Sequence, residues 1–231
     1  MIAHSLRNGS IFVCPNFLPS DIFEEFFEKV KEYPYIEGYQ PAGTFYGNRF
    51  QAYPVHETKD LSVIDSRFFN WFKNGVQDIL EDKIIRFHCC VRKTITEELK
   101  RSKVNTKYGI VHSDYESDLK IDPSMSGGDT AEFAGVFQFV QSFDGGTAFF
   151  ENAGDKVPDI EVSAYPNRLT MYSGGRLHAN CTDFTFDERI VVLVFIKTEK
   201  LYLLESGQIS EREYAGIYNS HLCVDLDYVQ S

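Results

Sequence analysis

Tyr108-Gly109-Ile110-Val111-His112-Ser113-Asp114 reads as a strand that ends in two metal-ligating side chains. On an extended chain, residues two apart project from the same face, so His112 and Asp114 present an imidazole and a carboxylate side by side. Such a pair can chelate one ion. A second histidine, His178, comes much later, and Arg189 follows it, both in strand-like segments. Two imidazoles and one carboxylate form a facial set that grips a first-row metal ion and leaves coordination positions open.

Around this stretch the chain is strand-rich. Strand signals fall at Glu132–Gln141, Gly146–Glu151, Arg168–Ser173 and Arg189–Lys197, with Leu177–Cys181 between the last two and a turn at Asp144-Gly145-Gly146. Short strands at regular intervals with Gly-rich turns predict a sandwich or barrel rather than an alternating α/β sheet. Ile190 to Ile196 is apolar at every position, which predicts a strand buried on both sides.

Upstream, Ser10–Leu18 reads as a short strand interrupted by Pro15. A helix follows, with Asp21 and Glu24 spaced like a capping box and Phe23, Phe26, Phe27 and Val30 on one face. The spacing of Ile64, Phe68, Phe72, Val76 and Ile79 predicts a second helix over 60–81. Lys83–Thr94 alternates as a strand, with Ile85, Phe87, Cys89 and Val91 on one face and Arg86, His88, Cys90 and Arg92 on the other. His88 has no ligand partner beside it and reads as an ordinary strand histidine. Thr96–Asn105 reads as a solvated, charged connector.

Two segments carry two readings each. The aromatics from Tyr33 to Tyr53, interleaved with Gly and Pro, favour a packed β-meander over an aromatic rim above a substrate pocket. The polar stretch 116–130 is either a lid beside the proposed ligands or disordered. A short helix is expected at Ser210-Glu-Arg-Glu-Tyr, and 221–231 stays unassigned. With no internal repeat or linker, one domain over 1–231 is expected, comprising N-terminal support at 1–105, a core barrel at about 106–200 and a C-terminal extension at 201–231.

The chain has 231 residues, 43% hydrophobic and 15% aromatic, enough for one sizeable core. Its net charge of −11 and lack of a Lys/Arg block argue against a duplex nucleic-acid or anionic-membrane surface. The five cysteines (Cys14, Cys89, Cys90, Cys181, Cys223) are odd in number and contain no CxxC, so neither a disulfide framework nor a zinc ribbon is indicated. No run reaches membrane-spanning length and the first residues lack a signal core. A cytoplasmic protein is expected, with oligomeric state unreadable.

Were His112, Asp114 and His178 to hold Fe(II), the site would carry a formal charge of about +1 and roughly three vacant positions. A bidentate 2-oxo acid and O2 would fill them. The far carboxylate of such a co-substrate needs a cation, and Arg189 heads the most apolar strand of the chain. Buried alone it would cost several kcal/mol, on the order of an unpaired buried charge. A bidentate carboxylate would satisfy it. The competing reading leaves the Arg189 head in solvent. A His-x-Asp pair alone arises by chance, and it is the conjunction of these residues in this order that points to a metal site.

That conjunction resembles the 2-oxoglutarate- and Fe(II)-dependent oxygenases, most closely their prolyl 4-hydroxylase-like branch, over His112 to Lys197. The matching pieces are His112-Ser113-Asp114, the Gly145-Gly146-Thr147 turn before an aromatic strand, the run Asn167-Arg168-Leu169-Thr170-Met171-Tyr172 leading to His178, and Arg189. Asn16-Phe17-Leu18-Pro19-Ser20 before the first helix also resembles that branch. The resemblance implies a mainly β fold with flanking helices around a double-stranded β-helix (jelly-roll) core. It implies Fe(II) on His112, Asp114 and His178, 2-oxoglutarate on Arg189, O2 as oxidant, and hydroxylation of a peptide residue or small molecule with release of succinate and CO2. One departure stands out. Where the branch often places a tyrosine for the same carboxylate, this chain has Phe137-Gln138-Phe139, and Tyr108, sharing a face with His112 by parity, is the substitute candidate. Asp114 leaves no ligand position vacant for halide, which favours hydroxylation over halogenation. The alternative is a jelly-roll binding module with a non-catalytic metal, although structural sites usually close with four protein ligands. Nucleic-acid demethylation is disfavoured by the acidic balance.

Overall fold

A computed structural model of the chain describes residues 2–40, 43–45, 48–50, 53–101, 107–109, 111–114, 131–139, 145–152, 154–181 and 187–215, with only the backbone described between 39 and 53 and between 99 and 101. Helix α1 (Ile2–Arg7) and strand β1 (Phe12–Cys14) lead to helix α2 (Ser20–Val30). Strands β2 (Ile36–Gln40), β3 (Gly43–Phe45), β4 (Asn48–Phe50) and β5 (Tyr53–Glu57) follow, then helices α3 (Leu61–Ile64) and α4 (Ser66–Leu80). Strand β6 (Ile84–Ile95) and helix α5 (Thr96–Arg101) precede the core strands, which are β7 (Phe133–Gln138), β8 (Thr147–Phe150), β9 (Ile160–Val162), β10 (Arg168–Ser173), β11 (Leu177–Asn180) and β12 (Glu188–Thr198). Helices α6 (Glu199–Glu205) and α7 (Glu211–Ala215) close the described chain.

The larger sheet runs β1-β10-β7-β12-β6-β5-β2, and a smaller one runs β11-β8-β9. Every pairing is antiparallel. From β7 onward the chain crosses between the two sheets and winds back, which makes the core a double-stranded β-helix of the jelly-roll type. One face of the larger sheet, carrying Phe133, Phe137, Leu169, Met171, Ile190, Val192, Val194 and Ile196, packs on α2 and α4. The opposite face, with Ala134, Val136, Tyr172 and Val191, meets Phe149 of the smaller sheet. Thus β12 is covered on both sides, as its composition predicts.

The helices obey local chemistry. Helix α2 buries Ile22, Phe26 and Val30. It starts at Ser20 behind Pro19 and has no side-chain cap, so the Asp21–Glu24 capping box does not form. Over 60–81 the chain makes two helices rather than one. Asp65 leaves the helical region, and its carboxylate accepts the Phe68 N–H and starts α4 anew, as Asp60 accepts the Ser62 N–H to start α3. The connector at 96–101 is the short helix α5 rather than a loop. At the other end, Ser210 and Glu213 exchange N–H contacts and cap α7 with a box that passed unnoticed in the sequence.

Strand β6 departs from strict alternation. Lys197 lies opposite Arg86 and Thr198 opposite Ile84, so Ile85 is an extra residue in a bulge. It is 45% exposed, while Ile84 takes its place against the core. The Tyr33–Tyr53 region forms antiparallel ladders, β2 with β5 and β3 with β4, which agrees with the meander reading. The rim reading depends on side chains outside the described residues, and 116–130 and 221–231 lie outside them altogether.

Candidate metal centre

His178 sits on β11 and His112 pairs with it as an isolated antiparallel bridge, each donating its N–H to the other's carbonyl at 2.9 Å. This brings the two rings to 4.3 Å between centroids. Asp114, two residues further along, places Oδ1 at 3.8 Å from His112 Nε2 and Oδ2 at 3.5 Å from His178 Nε2. Metal–ligand bonds of about 2.0–2.2 Å let two donors on one ion lie at most about 4.2 Å apart, so these spacings suit a shared ion. Among the described residues this is the one cluster of three or more His, Cys, Asp and Glu side chains able to hold an ion.

The electrostatics of His178 favour its neutral form. Burial pushes the His178 imidazolium down to about 4, with Asp114 opposing and His112 assisting. Near neutrality the ring is therefore uncharged. Its Nδ1 faces the Arg176 carbonyl at 2.9 Å, and a proton donated there leaves the Nε2 lone pair toward Asp114 and the open space beside it. His112 is the more open ligand, 27% exposed against 7% for His178.

Arg189 is buried on the barrel side of β12 at 5% exposure, and its Nε donates to the Gly145 carbonyl at 2.7 Å. Burial lowers its pKa to about 10, so it still carries a charge at neutral pH. Among the described residues no carboxylate lies within ion-pair reach of it. The solvent-exposed reading of Arg189 is therefore overturned. The Gly-Gly turn that receives it is tight. Gly145 has a φ of +76°, and a Cβ on Gly146 would stand 2.0 Å from the Val162 carbonyl oxygen.

Tyr108 lies elsewhere. It bridges Cys181, whereas His112 bridges His178. Those pairings differ by one residue in register, so the strand between them slips and Tyr108 turns to the opposite face from His112. Its ring packs edge-on against Phe150 and its hydroxyl donates to Glu161 at 3.1 Å. Parity counted along an unbroken strand could not have shown this. The tyrosine at the centre is instead Tyr172, whose ring lies 4.5 Å from that of His178 and whose phenol lies within reach of the Asp114 charge. Burial first, then the Asp114 charge, hold that phenol protonated. Its signal was the alternation of Arg168, Thr170 and Tyr172 opposite Leu169 and Met171.

The centre occupies the mouth of a double-stranded β-helix. That fold is shared with solved structures of low sequence identity. No family model matches the chain, and no curated protein does. A prolyl-4-hydroxylase of Pseudomonas putida is 12% identical over 86% of this chain and 97% of its own, with a TM-score of 0.51. The non-haem α-ketoglutarate-dependent epimerase SnoN from nogalamycin biosynthesis is 11% identical over 85% and 82%, with a TM-score of 0.59. A Trichoplax adhaerens prolyl hydroxylase, solved with a hypoxia inducible factor peptide fragment, is 12% identical over 91% and 92%, with a TM-score of 0.57.

Proposed function

We propose that the protein is a non-haem Fe(II)- and 2-oxoglutarate-dependent oxygenase that hydroxylates a C–H bond of a peptide residue or small molecule. The observation that carries this reading is a buried, charged guanidinium without a carboxylate partner among the described residues, held in the same barrel as two imidazoles and a carboxylate. A binding module with a non-catalytic metal has no use for that cation. Arg189 would receive the distal carboxylate of 2-oxoglutarate, while His112, Asp114 and His178 would hold Fe(II). When bound, Fe(II) with O2 supplies an oxidant, coupling decarboxylation of 2-oxoglutarate to succinate and CO2 with oxidation of substrate.

The chain's own residues do the rest. Burial keeps His178 neutral and therefore able to donate its Nε2 pair. Tyr172 lies beside the Asp114 carboxylate, and Phe149, Tyr172 and Val191 wall the barrel interior against water. The exposed side of His112 gives the substrate its approach. Solved structures of similar fold support both substrate classes, since one is complexed with a peptide fragment and HygX of Streptomyces hygroscopicus with nickel, 2-oxoglutarate and hygromycin B. Among the described residues no helix is long and apolar enough to cross a membrane. A cytoplasmic setting is part of the proposal, supported by four described cysteines that are all free. One domain over 1–231 is also proposed, because Arg7 of α1 stacks on Tyr214 of α7 and pairs with Glu132 beside β7.

Succinate release, assayed across peptide and amino-acid pools, tests the reading. Wild type should turn over and His112→Ala should not, and equal turnover by the two would remove the metal assignment. Anaerobic Fe(II) with 2-oxoglutarate should give wild type a weak visible charge-transfer band, which a binding module would lack.

A further inference from the structure

The ring of His178 is held by a carbonyl, and that carbonyl sits in a turn with little stiffness of its own. Strands β10 and β11 are joined through Gly174-Gly175-Arg176, closed by an Arg176 N–H bond to the Ser173 carbonyl at 2.9 Å. Gly174 is pressed against Ala131, where a Cβ would stand 1.9 Å from the carbonyl oxygen. Gly175 meets only the Ser173 hydroxyl, at 3.9 Å. The anchor of the turn beyond Gly174 is therefore the side chain of Arg176.

That side chain pairs with Asp159 in the connection between β8 and β9. The pair runs through Nη2, and the buried Nε has no hydrogen-bond partner among the described residues, so Asp159 is the guanidinium's anchor among them. Asp159 is itself fixed by its N–H bond to the Phe149 carbonyl at 3.0 Å. Phe149 stands directly opposite His178 in the β8–β11 ladder. The path closes on itself, from His178 to Phe149, Asp159, Arg176 and back through the Arg176 carbonyl to His178 Nδ1.

We propose that the Asp159–Arg176 ion pair is a positioning device for the metal ligand, holding the Arg176 carbonyl where it selects the His178 tautomer with Nε2 free and fixes the ring's rotation. The proposal rests on the metal reading above. Neither residue touches the ion or a substrate. Both act through His178, as partners behind a ligand commonly do in metal sites. A plain surface pair that staples two turns would show the same coordinates but different behaviour.

The test uses the full chain in metal-free form, with Co(II) titrated calorimetrically and imidazole nitrogen signals read by 15N NMR before metal is added. Asp159→Asn, close to isosteric, should weaken Co(II) binding about tenfold, the lower end of the effect seen for groups behind a ligand. In the same variant the His178 nitrogens should move from one tautomer toward a mixture. Arg176→Gln, which breaks the pair from the other side, should do the same. Cobalt affinity within twofold of wild type would overturn the proposal. So would a loss of affinity with the His178 nitrogen pattern unchanged, because the loss would then come from the fold alone. A wild type that binds no Co(II) would instead defeat the metal reading, and the metal-free NMR comparison would still decide whether the pair orients the ring.

Discussion

The two faces of the larger sheet are built from the same strands and do opposite work. On β7, β10 and β12, Phe133, Phe137, Leu169, Met171, Ile190, Val192, Val194 and Ile196 point to the helices and form one continuous apolar cluster. Their neighbours in sequence, Ala134, Val136, Gln138, Thr170, Tyr172 and Arg189, point the other way and are smaller or polar. A period of two in the strands thus separates an apolar face packed on the helices from a face that carries the candidate site. The first fills its space completely with rings, as where Phe26 stacks on Phe68 at 4.2 Å and Phe72 meets Phe137 edge-on at 5.0 Å. The second carries buried polar groups that lower stability unless something pairs with them.

The contrast is broken most severely from the helical side. Phe26 is fully buried and touches the rings of Phe68, Phe72, Phe139 and Tyr33. Phe26→Ala should cost about 3–5 kcal/mol of unfolding free energy, measured by urea denaturation. Protein that remains folded should still bind metal with wild-type affinity. A joint loss of metal affinity in folded protein would show that the two faces are coupled through the sheet rather than divided by it.

The next largest effect belongs to the barrel face. Arg189→Leu removes a buried cation with no carboxylate partner among the described residues, and should raise the 2-oxoglutarate requirement by roughly 100-fold, as for one lost partner of a buried charge pair. Metal affinity should change little, and stability should hold or rise, since an apolar group replaces a charge at 5% exposure. Equal losses in metal and co-substrate binding would reduce Arg189 to a support of the fold.

This division explains what could be read in advance. The convergence of His112, Asp114 and His178 and the inward facing of Arg189 were legible because these residues combine rare types with strand spacing. The features that escaped reading depend on single-residue departures from alternation. One register step between the Tyr108 and His112 bridges reversed the facing of Tyr108, and one inserted residue on β6 exchanged Ile85 for Ile84. The break at Asp65 escaped for a related reason, because the apolar stripe runs on through it while the carboxylate caps a new helix. His88 proved more than a bystander, since Asp60 takes its Nδ1 at 2.5 Å and the Cys89 N–H at 3.0 Å, joining the start of α3 to β6. Such contacts are long-range in sequence, and no local pattern announces them.

The finest comparison is within one side chain. Tyr172 belongs to the barrel face, yet its ring packs as tightly as those on the helical face, 5.0 Å from Phe149 and 4.5 Å from His178. Only its hydroxyl speaks to the centre, through Asp114. Tyr172→Phe keeps the ring and deletes the hydroxyl beside Asp114, so packing should be conserved and unfolding free energy should shift by no more than about 1 kcal/mol. The Asp114 carboxylate would lose the polar hydroxyl beside it on the barrel face, where it faces both imidazoles. Metal affinity should therefore fall about tenfold, the lower end for a group behind a ligand. If calorimetry finds affinity unchanged and stability reduced instead, the phenol serves the core, and the boundary between the two kinds of work must be drawn closer to the metal ligands themselves.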